Sequence, residues 1–334
     1  MSKVLEIMNP PIETYQGESF ILGILLAYDN TKNIYYNNYI NLATSKENNP
    51  RDFILRFTNS LWENYRLNGI ANMDKCQLKG IPYDNFEDFI MECIDQGKYI
   101  LLFGIDEYYL SYTDNYYDAH NIHDTYIYGY DEDNFYVMAY SKGHLSRITV
   151  DATEILEAVY SRMSSTEDST FCTFYINESC NIEVDFPMML NELKNYLMGI
   201  DNDTYIEGGA SGINIYKELQ QYTNYFMTHI YDEILPYDIR IFRELWEHKK
   251  IMYDRIELIS SSFEIDQNII TSFRSIMDNS KQVFELAMKY KMLNSNSILE
   301  KIHIKLSEME EEEVQLYTQL IDQLEGKLEK KSNR

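Results

Sequence analysis

Residues 15–30, YQGESFILGILLAYDN, form the stretch that decides the fold of the first half of this chain. Their apolar side chains recur at three- and four-residue steps, which predicts a helix with a buried face. Gly17 falls at the start of this helix and Ser19 in its first turn. Glycine has no side chain, so position 17 places no reactive group at the start of this helix.

The segments that follow predict an α+β fold with an antiparallel sheet. PYDNFEDFIMECIDQG, residues 82–97, has a proline near its start, apolar residues at helical spacing and a glycine at its end, which predicts an amphipathic helix. DATEILEAVYS predicts a second short helix. Apolar or alternating runs predict strands. These runs are KYILLFGI, HDTYIYGY, NFYVMAY, HLSRITV and STFCTFYI.

The second half of the sequence changes to a helical period. In DIRIFRELWEHKKIMYDRIELI the apolar residues recur every three or four positions, which predicts one long helix. The last segment carries a heptad-like seam that Glu313 interrupts. The seam residues are Leu299, Ile302, Leu306, Met309, Leu316 and Leu320. Such a seam can pack within a bundle or pair two chains in a helix-mediated dimer, and packing within the chain is favoured.

The change of period predicts two domains and a tail. We expect an α+β domain over residues 1–180, an all-helical domain over 181–328, and fraying of 329–334. The intervening DNDTYIEGGASGIN, with three glycines in five residues, predicts a loop or a close approach of two backbones.

Composition restricts the partners and the compartment. The formal charge of −25 argues against nucleic acid, whose phosphates need a basic surface. A solvated surface that charge keeps soluble is the favoured interpretation, and attraction of a cationic small-molecule substrate or a basic partner is the alternative. Neither an export signal nor a run long enough to span a membrane is visible, and the four cysteines show no metal or disulfide pattern. We therefore expect a soluble, cytoplasmic protein with free thiols.

The segment 17–30 resembles the central helix of papain-like cysteine enzymes, and most closely that of the butirosin biosynthesis protein H N-terminal family of acyltransferases. In those families a cysteine begins the helix and apolar and aromatic residues follow. Leu22, Leu26 and Tyr28 match this pattern, whereas the cysteine position falls on Gly17.

A second segment, HDTYIYGYDEDNFYVMAY, resembles the strand that carries the catalytic histidine in the same family. His123, Gly129, Tyr130 and Asp131 match in order. The family's third residue, an Asp or Asn that orients the histidine, falls on Ala139 or its neighbours and is absent. The helical C-terminal half also resembles the region that follows this domain in relatives encoded with peptide and aminoglycoside assembly systems.

The absence of the cysteine removes the family's nucleophile. A helix start and a neighbouring histidine lower a thiol's pKa and create a reactive thiolate, which glycine cannot supply. Ser19 points away from position 17 and is better explained as a capping or first-turn serine than as a substitute nucleophile. Cys93 lies on the apolar stripe of its helix and is better explained as a core residue.

Histidines offer a metal site or a base. Asp118, His120, His123 and Asp124 are enough side chains for zinc, but alternation along a strand would separate the two histidines, so a polar loop without metal is favoured. His248 lies among charged residues, where a surface salt-bridge network explains it as well as a ligand site would. His229 has no partner recognisable from the sequence.

The resemblance implies a role in assembling a peptide-like or aminoglycoside antibiotic. The favoured interpretation is an accessory protein that binds an acyl carrier protein, a peptide synthetase component or their substrate. The alternative is a thiol-independent acyltransferase in which His123 is the base and the acyl group moves from a carrier thioester to an amine. No cofactor is expected beyond a phosphopantetheine-bound acyl substrate.

Overall fold

The computed structural model of this chain describes residues 2–45, 52–58, 61, 67–77, 81–163, 170–200, 209–228 and 237–332. The chain divides into two units. The sheet unit combines Met1–Asn33 with Leu61–Ile182, and the helical unit combines Ile34–Ser60 with Glu183–Arg334. The helical unit therefore includes a segment that the sequence analysis placed in the first domain. His229 and much of the glycine-containing loop 201–214 lie outside the described residues.

The strands of the described residues are mostly those predicted, with additions at the start. They are β1 (Lys3–Val4), β2 (Leu42–Thr44), β3 (Leu55–Phe57), β4 (Ala71–Gln77), β5 (Tyr99–Asp106), β6 (Ile122–Tyr130), β7 (Asn134–Ser141), β8 (His144–Asp151) and β9 (Thr170–Ile176). Seven of them form one antiparallel sheet in the order β4-β9-β5-β6-β7-β8, with β1 paired to β6. The strands β2 and β3 pair within the helical unit.

The helices of the described residues divide between the units. They are α1 (Gln16–Leu25), α2 (Ile34–Asn37), α3 (Tyr83–Asp95), α4 (Ala152–Met163), α5 (Phe186–Met198), α6 (Ile215–Thr228), α7 (Arg240–Ser262), α8 (Gln267–Leu293) and α9 (Asn296–Ser332). The predicted α+β composition and the helical C-terminal region are both confirmed. None of the helices in the described part of the chain is long and apolar enough to cross a membrane.

Helices cover both faces of the sheet, because the strands alternate their side chains between two apolar faces. On one face α3 and α4 share a core with Ile127 of β6 and Val137 of β7. On the other face α1 packs its Phe20 ring edge-on against Tyr126, with ring centroids 4.7 Å apart. The apolar residues of α1 are almost completely buried, so α1 is a central element of this unit, as its sequence predicts.

Gly129 allows β1 to approach β6. A Cβ at this position would lie 2.8 Å from the Lys3 carbonyl oxygen and 2.9 Å from the Tyr136 ring. The register places Gly129 directly opposite Val4. A side chain at 129 would therefore push the first strand off the sheet.

The helical unit buries the heptad-like seam of α9 inside the chain. All six apolar seam residues are buried, and so is Glu313, which interrupts them. The seam is therefore a core contact of the unit. Gly212, at a positive φ of 56°, approaches the Tyr196 carbonyl so closely that a side chain could not fit, which explains one of the predicted loop glycines.

Candidate functional site

The first residue of α1 contacts the predicted base. Gln16 Nε2 lies 3.0 Å from His123 Nδ1 and donates to the Asp124 carbonyl oxygen at 2.9 Å. Gly17 follows and is half-buried. The side chain that reaches the imidazole thus comes from one position before the glycine that the sequence analysis aligned with the family cysteine.

A carboxylate also faces His123. Glu107 lies in a 3-10 turn, Glu107–Tyr109, directly after β5, and its Oε1 is 3.2 Å from His123 Nδ1. Its Oε2 accepts hydrogen bonds from Asn115 Nδ2 at 2.6 Å and Asn121 Nδ2 at 2.5 Å. The two amides occupy one carboxylate oxygen, which leaves the other oxygen for the imidazole.

Gln16 and Glu107 both lie within hydrogen-bond distance of His123 Nδ1. In a given tautomer of the imidazole, this nitrogen can hydrogen-bond to only one of them. A proton on Nδ1 satisfies Glu107, whereas a bare Nδ1 would accept from Gln16. The bond to a charged carboxylate is the stronger one, and Gln16 keeps its bond to Asp124 in either case. The favoured tautomer therefore carries the proton on Nδ1 and leaves Nε2 as the basic nitrogen.

The pKa values of the two carboxyls near His123, those of Glu107 and Asp124, are shifted in opposite directions. Burial raises the pKa of Glu107, but hydrogen bonds from His123, Asn121 and Asn115 outweigh it, and the pKa lies below its ordinary value. Burial raises the pKa of Asp124 above its ordinary value, against the opposing effects of the Gly104 amide and His123. The lowered pKa keeps Glu107 charged beside the imidazole at neutral pH.

The imidazole of His123 remains reachable from solvent. Its side chain is 39% exposed, compared with 9% for Glu107, and its ring contacts Tyr140 with centroids 5.8 Å apart. A positioned histidine that is open on one side and held by a buried carboxylate on the other can act as a general base.

A second histidine–carboxylate pair lies next to the first along the chain. His120 Nδ1 is 2.7 Å from Asp106 Oδ2, and the His120 ring stacks on Tyr108 with centroids 4.4 Å apart. The two histidines use different carboxylates. Within the described residues, no group of three or more His, Cys, Asp or Glu side chains could hold a metal ion.

Ser19 has a structural contact. Its side chain is fully buried in α1, and its hydroxyl donates to the Tyr15 carbonyl oxygen at 2.9 Å. Tyr15, and not Ser19, occupies the N-cap position. This contact explains the serine as a first-turn residue whose hydroxyl is engaged with the backbone.

The four free cysteines have unfavourable surroundings for a thiolate. Burial raises the pKa of Cys93 and that of Cys172 to about 11. Burial also raises the pKa of Cys76, with a contribution from Asp74, and that of Cys180. A thiolate nucleophile needs a lowered pKa, so the surroundings of these four cysteines do not favour a nucleophilic role.

Sequence reasoning missed Gln16 and Glu107. The orienting residue was sought near Ala139, which is buried in β7 without a polar side chain. The carboxylate comes instead from the end of β5, which pairs with β6 at Ile105 and His123. The available signal was the acidic pair Asp106–Glu107 at the end of a buried strand, since a neighbouring strand brings this end to the histidine.

The surface interpretation of His248 is wrong. His248 is completely buried in the helical unit, where its Nε2 lies 2.8 Å from the Ile40 carbonyl oxygen and its ring stacks on Tyr196. Its Nδ1 has no hydrogen-bond partner among the described residues. Burial lowers the pKa of His248 well below 6.5, and the charges of Lys249 and Arg255 lower it further, against the Ile40 hydrogen bond.

Glu313 is the centre of a buried polar cluster in the helical unit. Its carboxylate accepts from the Tyr196 and Tyr216 hydroxyls at 2.8 and 2.9 Å, and Lys249 Nζ lies 2.7 Å from its Oε1. Lys249 Nζ also donates to the Tyr196 hydroxyl at 2.7 Å. These contacts join α5, α6, α7 and α9. Every charged group here is sealed from solvent, so the cluster holds helices together and offers no open position for a substrate.

Comparison with known proteins adds no assignment. No protein-family model matches this chain, and no curated protein matches it significantly.

Proposed function

We propose that this chain is a papain-like relative of the butirosin H type that transfers an acyl group from a carrier thioester to an amine without a covalent intermediate. The observation that carries the proposal is the pairing of a partly exposed His123 imidazole with the buried Glu107 carboxylate. A base that is positioned in this way can accept a proton from an attacking amine even when no cysteine is present. The assignment to antibiotic assembly rests on the resemblance of the sequence alone.

The reaction needs one base and no protein nucleophile. The acceptor amine attacks the thioester carbonyl carbon, and the tetrahedral intermediate collapses with cleavage of the C–S bond to give an amide and a thiolate. His123 Nε2 takes the proton from the attacking nitrogen, and this proton can then pass to the leaving thiolate. Glu107 is a positioning residue, because its carboxylate holds Nδ1–H and stabilises the imidazolium that forms.

The charge of the surrounding sequence supports a cationic acceptor. Residues 99–141 include His123 and Glu107 and contain eight Asp or Glu residues but no Lys or Arg. A region with one sign of charge raises the local concentration of a substrate with the opposite sign. A polyamine acceptor such as an aminoglycoside fits this charge, because its other amino groups stay protonated while the attacking amine is in its neutral form.

The test is acyl transfer from a synthetic acyl-pantetheine thioester to a panel of amines, followed by mass spectrometry. We expect amide formation by the unaltered chain and a loss of about a hundredfold or more in His123→Ala. His120→Ala is the matched control, since His120 also pairs with a carboxylate but uses Asp106 and not Glu107. Equal rates in wild type and His123→Ala would overturn the proposal.

A second function is favoured by one specific contact. The Gln16 side-chain amide lies beside the His123 imidazole at the start of α1. An unreactive polar side chain at this place suits a protein that binds its ligand without reacting with it. In this case the chain is an accessory protein that holds an acylated carrier or its pantetheine arm. Binding of a non-hydrolysable acyl-pantetheine without turnover, together with activity that appears only in Gly17→Cys, would support this function over the first.

A further inference from the structure

The helices α8 and α9 form an antiparallel hairpin with an open groove between them. The groove has a volume of about 560 Å³. Its lining residues are Gln282, Glu285, Leu286 and Lys289 of α8, and Lys301, Ile304, Lys305 and Glu308 of α9. Each set spans positions i to i+7, so each wall extends over two helical turns, about 10 Å.

The groove has an apolar floor that is accessible to a partner. Leu286 is half-buried, and Ile304 is 55% exposed. The α8 side continues to Met292 and Leu293, which are 84% and 59% exposed. Methionine adapts its shape to different partners, and exposed apolar side chains that cluster on one surface indicate a binding site.

The charge of the groove is opposite to that of the chain. The groove's lining residues include three lysines and two glutamates, a formal charge of +1, whereas the whole chain has a formal charge of −25. Lys289 and Lys301 make no ion pair with any residue that the structure describes. Glu285, by contrast, already has Lys281 Nζ at 3.9 Å. Local charge decides recognition, because charges beyond about 8 Å are screened at physiological salt.

We propose that the α8–α9 groove binds an acidic amphipathic helix of a partner protein. The apolar side chains of that helix would cover Leu286 and Ile304, and its carboxylates would pair with Lys289, Lys301 and Lys305. Two turns of groove match the anchors of a helix at positions i, i+3, i+4 and i+7. This surface is independent of the His123 site and does not depend on the proposed function.

The test uses a fluorescein-labelled amphipathic peptide with leucine anchors and a glutamate polar face, titrated with the full chain and followed by anisotropy. A peptide with a lysine polar face is the control ligand. We expect saturable binding of the acidic peptide only, with weakening as salt is raised.

The groove variant carries Lys289→Glu, Lys301→Glu and Lys305→Glu. Its matched control carries Lys75→Glu, Lys217→Glu and Lys330→Glu, which changes the net charge equally at exposed positions outside the groove. We expect the groove variant to bind about tenfold more weakly or worse and the control to stay within about threefold of wild type. Ile304→Ser, which leaves the charge unchanged, should also weaken binding.

Three results would overturn the proposal. The first is no binding of the acidic peptide by the wild type, and the second is equal weakening in the groove and control variants. The third is a wild-type dimer, seen by sedimentation equilibrium, that the groove variant converts to a monomer, since the occupant would then be a second copy of this chain. Circular dichroism of both triple variants verifies that the helices remain folded.

Discussion

The sheet unit and the helical unit each place a carboxylate beside a nitrogen base, but they expose these pairs very differently. In the sheet unit Glu107 is buried while His123 stays 39% exposed. In the helical unit both Glu313 and Lys249 are within 2% of complete burial. A pair that is half open can exchange a proton with a substrate, whereas a sealed pair can only fix the packing around it. Solvent access therefore separates the candidate site from the structural cluster, although their chemistry is similar.

Breaking the sealed pair should have the largest effect on stability. Glu313→Gln leaves the Lys249 charge buried without its counter-charge, and we expect a loss of about 3–5 kcal/mol in the free energy of unfolding. Urea denaturation measures it. Glu311→Gln, at an exposed position on the same helix, is the control and should change little. A loss below about 1 kcal/mol for Glu313→Gln would mean that this pair behaves like a surface ion pair.

Breaking the open pair should affect activity more than stability. Glu107→Gln removes the carboxylate that selects the Nδ1–H tautomer, and we expect acyl transfer to fall about a hundredfold. Nitrogen-15 NMR of the imidazole reports the tautomer directly, so this readout separates positioning from a general structural defect. Asp106→Asn, which removes the partner of His120, is the control. Unchanged tautomer populations in Glu107→Gln would disprove the positioning role.

The comparison of the units extends to their glycines. Gly129→Ala should destabilise the sheet unit by about 1–3 kcal/mol, because its Cβ would overlap the Lys3 carbonyl and the Tyr136 ring. Gly326→Ala in α9 is the control with the opposite expected effect, since a Cβ at this position has no atom from outside its own helix within 4 Å. The second change should stabilise by up to about 1 kcal/mol through helix propensity. Thermal unfolding of both variants measures the difference, and equal shifts would contradict the close approach of β1.

Acid should weaken the helical unit through His248. Its pKa lies well below 6.5 in the fold, so below pH 6.5 the unfolded chain binds more protons than the folded chain. The contribution to stability is complete above pH 6.5 and decreases as pH falls, by at most about 1.4 kcal/mol per pH unit. Urea denaturation between pH 7.5 and 5.5 should show a steeper loss in wild type than in His248→Gln. Parallel curves would show that His248 does not contribute.

The regular elements could be predicted because their signals are local. The apolar spacing of 82–97 and the stop at Gly97 correspond to α3, and HDTYIYGY corresponds to β6 almost residue for residue. β4 was missed because ANMDKCQ is largely polar, and this strand is at the edge of the sheet, where β9 is its one partner among the described strands. An edge strand needs no strong apolar pattern, so propensity alone does not identify it.

Of the three site residues His123, Glu107 and Gln16, only His123 could be found from a local motif. His123 was found because the resemblance places it in a motif with Gly129, Tyr130 and Asp131. Glu107 and Gln16 precede it by 16 and 107 residues, and neither belongs to that motif. Their proximity results from the pairing of β5 with β6 and from the position of α1 on the sheet, which are long-range contacts.

The sequence by itself determined the α+β composition, the helical second half and the formal charge of −25. Only the tertiary structure decided which carboxylate contacts His123, that the seam residue Glu313 pairs with Lys249, and that His248 is buried. Helix and strand preferences depend on neighbours a few residues apart, so a pattern can reveal them. The environment of a charged side chain depends on which distant segments exclude water from it, and only the packed fold defines those segments.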